Sequence, residues 1–460
     1  MGHIHKLFLR LILVLPVLLA FGCSRIDHKQ SALDPKGLVS QNQFDVFMLS
    51  VWITIFLFCA VGGCLLYVLW RYRAKNAEEA MEIPPQSHGN SKIEVSLIIA
   101  SSIILVILAI PTLQGVVLMN KVPDPNDQET LDKLSLDRSQ VEDAITVNVT
   151  GKRFFWVFEY PQYGIVTANE LVFPASKAVR INLRTEDVIH SFWLPKLAGK
   201  MDLMPGQENF LWFIADKDKI LDGKTVAEAM PSVFDGKMRE TVFAKQKFTD
   251  EFEPVGGLFY GQCAEFCGNS HAYMSFRALA QTDKDFDMWV KKFQDSQNPN
   301  LQPKAYDPEM EYSKGSEVTF NDQSLGENAQ RVFLASKNVL PGQAPNLSQK
   351  VWKKAHSDDY EIGKQLFSSL QCVQCHAVNR TGIGAKGPNL TLFGLRTSLA
   401  AGWMRNDPES LSDWLKNSND VKFGNLMWNG EGVDDSHPLR NLEDDDLKVN
   451  QLVAYLLEQI

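Results

Sequence analysis

Two apolar stretches near the start of the chain, residues 46–70 and 93–119, constrain everything that follows them. Each is long enough to cross a bilayer core of about 30 Å at about 1.5 Å per helical residue. With a short polar segment between them they are expected to form a transmembrane helical hairpin over residues 46–120. Arg71, Arg73 and Lys75 follow directly on the first span, and basic residues flanking a span stay on the cytoplasmic side. Everything after Met119 is therefore expected on the outer side of a bacterial inner membrane, in a multi-pass protein embedded in lipid.

Upstream of the hairpin, Lys6 and Arg10 precede an apolar run that ends Ala20-Phe21-Gly22-Cys23. This is a signal-peptide layout over residues 1–22, and its ending resembles a bacterial lipobox with Cys23 as the lipidated residue. Residues 23–45 are then an N-terminal segment. At 460 residues the chain is too long for one ordinary core, and several domains are expected. Its seven cysteines suggest no disulfide framework, no nucleic acid is expected as a partner, and the net charge of −9 says little for a chain whose ends face different compartments.

From Ala144 the pattern changes to alternation of apolar and polar residues, at 145–150, 179–183, 210–214 and 274–279. Strands of this kind separated by Gly and Pro turns predict a β-sandwich or barrel over residues 121–295. A charged stretch at 217–253 is expected as a surface excursion from it. Within this region Cys263, Cys267, His271 and Met274 lie on one short loop, with His190 upstream. Thiolate, thioether and imidazole together suit copper that cycles between oxidation states, whereas structural zinc gains little from a thioether. Two thiolates on one loop can also bridge a pair of metals.

The loop and the distal His resemble the binuclear CuA site of cytochrome c oxidase subunit II. The resemblance implies that Cys263 and Cys267 bridge two coppers, that His190 and His271 bind one each, and that Met274 and the carbonyl of Glu265 are weak ligands. It implies that the Glu265 carboxylate binds a magnesium ion shared with subunit I, and it suggests a cupredoxin-like Greek-key barrel. Residues 151–161 are similar to the aromatic segment beside the copper in that family. Phe154 stands where relatives carry the Trp that receives electrons, and Trp156 occupies the second aromatic place. Asp187 matches an acid near the docking surface. Glu94 matches a Glu that admits protons to a channel of subunit I, although a Glu at the end of a span also simply reaches the interface.

A second redox motif follows at Cys372-Val373-Gln374-Cys375-His376, the pattern that attaches haem c through both sulfurs with the His as iron ligand. Residues 359–367 precede it with helical spacing, Gly387-Pro388-Asn389-Leu390 follows, and 444–457 reads as a terminal helix with an acidic start. Residues 357–460 are thus expected to form an all-α cytochrome c domain. The sixth iron ligand is Met404 or Met427. Residues 421–427 resemble the Lys-Pro-Gly-x-x-Met-Pro loop of cytochromes c, with Phe423 and Trp428 in place of its prolines, which favours Met427. Residues 296–356 are expected as a linker, helical at 327–334.

The resemblance implies subunit II of a respiratory haem-copper cytochrome c oxidase with a fused cytochrome c domain, assembled with subunits I and III. It would take electrons from cytochrome c and serve proton-translocating reduction of oxygen to water. A CuA-bearing subunit of a nitric oxide reductase shares the hairpin and copper domain. A copper-delivery protein shares Cys-x-x-x-Cys with a distal His, but not the haem motif.

Overall fold

A computed structural model of the chain describes residues 29–81, 83, 89–234, 257–326, 329–379, 386–429 and 437–459. The signal sequence expected at 1–22, Cys23 and residues 235–253 of the expected surface excursion lie outside the described residues. The two apolar stretches form helices α1 (Leu38–Arg71) and α2 (Ser91–Met119). A helix that is apolar on all faces needs an apolar surround. Phe58 and Val117 are 78% and 72% exposed, as lipid-facing side chains are. Asn90 caps α2 by accepting hydrogen bonds from the Lys92 and Ile93 amides. Glu94, in the first turn, is exposed.

The hairpin is fastened to the next domain at both ends remote from the basic loop. The Leu38 amide donates to Ile214 O at 3.1 Å, and Ser40 Oγ donates to Lys196 O at 2.7 Å. Lys196 in turn meets Asp34 at 2.6 Å. From the second helix, Met119 O accepts from Trp212 Nε1 at 3.0 Å.

That domain is the expected sandwich. Its strands are β1 (Ile145–Lys152), β2 (Phe155–Tyr160), β3 (Ile165–Ala168), β4 (Glu170–Pro174), β5 (Val179–Thr185), β6 (His190–Trp193), β7 (Lys200–Leu203), β8 (Asn209–Phe213), β9 (Leu258–Cys263) and β10 (Ser275–Gln281). They form two five-stranded sheets, ordered β3-β2-β1-β5-β8 and β4-β10-β9-β6-β7. The pairs β1/β5 and β4/β10 are parallel. Strand periodicity of two puts Trp156, Phe158 and Tyr160 of β2 inside, where they meet Phe173, Phe192 and Phe276. Helix α3 (Asp283–Gln297) closes the domain, capped by Thr282 and burying Phe286, Trp289 and Phe293.

Residues 304–354, expected as a linker, instead contain a small sheet of strands β11 (Lys304–Ala305), β12 (Glu317–Asn321), β13 (Gln330–Ala335) and β14 (Trp352–Lys354). Val318, Phe333, Val339 and Trp352 form its core. The helix expected at 327–334 is the strand β13, because alternate residues Arg331, Phe333 and Ala335 face inward. Arg331 is wholly buried there and pairs with Asp322 at 2.9 Å.

The C-terminal domain packs α4 (Asp358–Ser369), α5 (Pro408–Lys416) and α6 (Asp446–Leu457) around Phe367, Leu411, Leu415, Leu452 and Tyr455. Helices α4 and α6 cross at Gly363, where a Cβ would lie 1.9 Å from Gln451 O, so no larger residue fits the crossing.

Candidate metal centres

The ends of three neighbouring strands bring the sulfur and imidazole side chains together. His190 opens β6, Cys263 ends β9, and the loop from 264 to 274 returns the chain into β10. Cys263 Sγ lies 3.8 Å from His190 Nδ1, 3.9 Å from Cys267 Sγ and 3.2 Å from Glu265 O. Cys267 Sγ is 3.6 Å from His271 Nδ1 and 3.8 Å from Met274 Sδ. All six donors expected from the sequence converge, and both cysteines and His190 are buried. A sulfur separation of 3.9 Å is about twice a disulfide bond. With metal–sulfur bonds of about 2.3 Å it leaves room for ions between the two sulfurs.

The electrostatics agree with a cation-binding role. Hydrogen bonding from Cys267, opposed by burial and aided by His190, brings the Cys263 thiol down to about 4. The partner Cys267 is pushed up, first by its hydrogen bond with Cys263 and then by burial. Two adjacent buried thiols thus release one proton readily, and the second needs a positive charge. The six-donor set therefore fits a copper pair.

Asp187 fixes the imidazole. Its Oδ1 lies 2.8 Å from His190 Nε2, so Nε2–H donates to the carboxylate and Nδ1 keeps its lone pair facing Cys263. Burial alone would raise Asp187, but hydrogen bonds from His190 and from the Arg153 and Val188 amides hold it well below the usual carboxylate range. Sequence reasoning placed this acid at a docking surface; its spacing of three residues from His190 was the available signal.

Trp156 is fully buried, its ring edge-on to His190 with centroids 6.2 Å apart. Phe154 lies beside the metal-binding loop: a Cβ on Gly268 would be 3.1 Å from its ring. The C-terminal domain reaches the same residue, since Phe154 O accepts from Lys422 Nζ at 2.7 Å. Glu265 and Phe266 are exposed on the outer side of the loop, Phe266 by 74%.

A cavity of about 610 Å³ in the C-terminal domain is lined by Cys372, Cys375, His376, Pro388 and Met427, and on one side by Arg153 and Phe154 of the sandwich. His376 Nδ1–H donates to Pro388 O at 2.9 Å, leaving Nε2 as a potential ligand. Two thiols, an oriented imidazole and a thioether around an apolar cavity of this volume fit haem c. Met404 is absent from the lining; it pairs with Leu399 in a short hairpin at the edge of the core.

The contacts between the two domains were not foreseen. One oxygen of Glu170, at the start of β4, accepts from the amides and hydroxyls of Thr397 and Ser398 at 2.6 to 2.9 Å. Arg277 of β10 donates to Gly402 O and lies over the Tyr260 ring. Tyr273 meets Trp403 edge-on at 4.6 Å.

Residues 164–235 match the family "Cytochrome C oxidase subunit II, periplasmic domain", and residues 360–459 match "Cytochrome c". Cytochrome c oxidase subunit 2 of Bacillus subtilis (strain 168) is 30% identical over 431 residues, covering 92% of this chain and 92% of that protein. The protein of the same name from Alkalihalophilus pseudofirmus is 28% identical over 431 residues, covering 94% and 91%. Among solved structures, the periplasmic domain of subunit II (CoxB) of Bradyrhizobium japonicum is 28% identical. It covers 32% of this chain and 91% of that domain, with a TM-score of 0.23.

Proposed function

This chain belongs to the cytochrome c oxidase subunit II family, and from that premise we propose which of its residues carry electrons through the enzyme. It is an oxidase subunit that joins a copper domain to a cytochrome c domain. When bound, haem c and the binuclear copper supply two one-electron carriers in series, between an external cytochrome c and subunit I, where oxygen is reduced to water with proton translocation.

The residues divide this work as follows. Cys263 and Cys267 would hold the coppers, soft thiolates being suited to both oxidation states. His190 and His271 would supply imidazole nitrogens, and Met274 and the Glu265 carbonyl the remaining donors. Asp187 keeps the His190 imidazole in the ligating tautomer. Cys372 and Cys375 would attach the haem, and His376 and Met427 would hold its iron. Phe154, which lines the cavity and packs against the copper loop, and Trp156, edge-on to His190, are the candidates for passing electrons.

Toward its partners the chain offers a different surface. The Glu265 carboxylate, exposed beside Phe266, holds magnesium at the boundary with subunit I; subunit III completes the complex. The hairpin lies in the inner membrane with both redox domains on the outer side, a placement supported by the fastening of both helices away from the basic loop. Glu94 sits at the inner face, where it admits protons, and Cys23 carries lipid.

The observation that carries this reading is the convergence of six donors at the ends of β6, β9 and β10 next to the haem-sized cavity. Its test is electron paramagnetic resonance and optical spectroscopy of the purified complex, with oxygen consumption on reduced cytochrome c. A delocalised two-copper hyperfine pattern and covalent haem c are expected. A mononuclear copper pattern, or haem released by acidic acetone, would sink the assignment.

A further inference from the structure

The segment 422–427 precedes and presents Met427, yet it lacks the prolines that would stiffen it. Gly424 is at φ +76° and Phe423 is 65% exposed. Within its own domain the segment is braced at Asn425, which donates to Lys422 O and accepts from Ser418 Oγ and the Trp428 amide. The Gly424 amide also donates to Asn419 Oδ1 and the Lys422 amide to Ser418 O, both at 2.9 Å, and further ties cross to the copper domain. Ser270 Oγ donates to Phe423 O. Lys422 Nζ donates to Phe154 O at 2.7 Å and to Ala400 O of its own domain at 3.4 Å. A Cβ on Gly424 would lie 2.6 Å from Cβ of Asn269, so Gly424 packs against the Asn269 side chain where a larger residue would clash. Asn269 and Ser270 stand between Cys267 and His271 in the copper loop.

We propose that the copper domain is the structural support of the haem-ligand segment: Asn269, Ser270 and Phe154 hold residues 422–427 in the conformation that presents Met427, so domain docking and sulfur ligation form one coupled state. The inference rests on the assignment of Met427 as axial ligand. Its physical basis is the cost of burying Lys422, whose ammonium needs hydrogen-bond acceptors wherever it leaves water. One acceptor comes from each domain, and together they exist only in the docked arrangement. Segments held by few contacts open locally well below the global stability. Loss of one such hydrogen bond raises the open population about fivefold. Ser270 and Asn269 are thus positioning residues for an iron ligand in the other domain, and Lys422 is one for the ligand of its own.

The test uses the full complex with Lys422→Met, Ser270→Ala and Ser270→Thr, read by the sulfur-to-iron near-infrared band, by amide exchange at 422–428 and by the two-copper signal. Ser270→Ala should weaken the band and speed exchange about fivefold, and Lys422→Met, which removes two hydrogen bonds, by at least as much, with the copper signal retained, and Ser270→Thr should restore both. An unchanged band and unchanged exchange in Lys422→Met and Ser270→Ala would overturn the proposal. Met427→Ala distinguishes the two levels: if that variant keeps the band, the ligand assignment has failed and the coupling falls with it.

Discussion

The copper loop and the haem-ligand segment do similar work by different construction. The copper donors hang from the ends of β6, β9 and β10, strands whose inner faces form a continuous aromatic core. The haem-ligand segment is a turn at the margin of its domain, tied across an interface. A site rooted in one core keeps its geometry whatever its neighbours do. A site shared between two cores keeps it only while they are docked.

The most severe way to break this comparison is Cys263→Ser, which removes the thiolate proposed to bridge the coppers, and no hydroxyl replaces it. The two-copper signal and oxygen consumption should be abolished while the haem spectrum is unchanged; a haem band that vanished too would show the centres to be less independent than their cores. Met427→Ala should do the converse, leaving haem covalently attached and copper intact but eliminating the sulfur-to-iron band. Glu170→Ala leaves four donors of Thr397 and Ser398 without their shared acceptor. It should weaken docking by about 3 kcal/mol, or roughly 100-fold, seen as faster amide exchange at 397–398 with copper retained. Asp187→Ala should lower copper affinity at least about tenfold in chelator competition, sparing the haem segment. Smallest is Met404→Ala, which should cost about 1–2 kcal/mol of C-terminal-domain stability in thermal unfolding and leave the near-infrared band in place.

What the sequence disclosed follows the same division. The hairpin, the grouping of Cys263, Cys267, His271 and Met274 and the placing of Cys372, Cys375 and His376 around one cavity were legible because each rests on a local pattern whose chemistry is unusual. β13 was misread as helix because Arg331 fills an inward position that an apolar residue would normally mark, its charge met by Asp322. The clasp of Glu170 on Thr397 and Ser398 joins residues 227 and 228 positions apart, and nothing in a lone Glu at a strand start announces such partners. Asp187 was noticed, but its grip on His190 depends on the turn that folds it back.

The fastening of both hairpin helices to the sandwich has a consequence for distance. Trp212 in β8 and Ile214 just beyond it hold Met119 and Leu38, the termini of the two apolar helices remote from the basic loop. Two neighbouring anchor points fix the copper-donor domain against those helices. Electron tunnelling slows steeply with each added ångström, so under the proposed function a constant altitude over the acceptor would keep successive electrons arriving at one tempo.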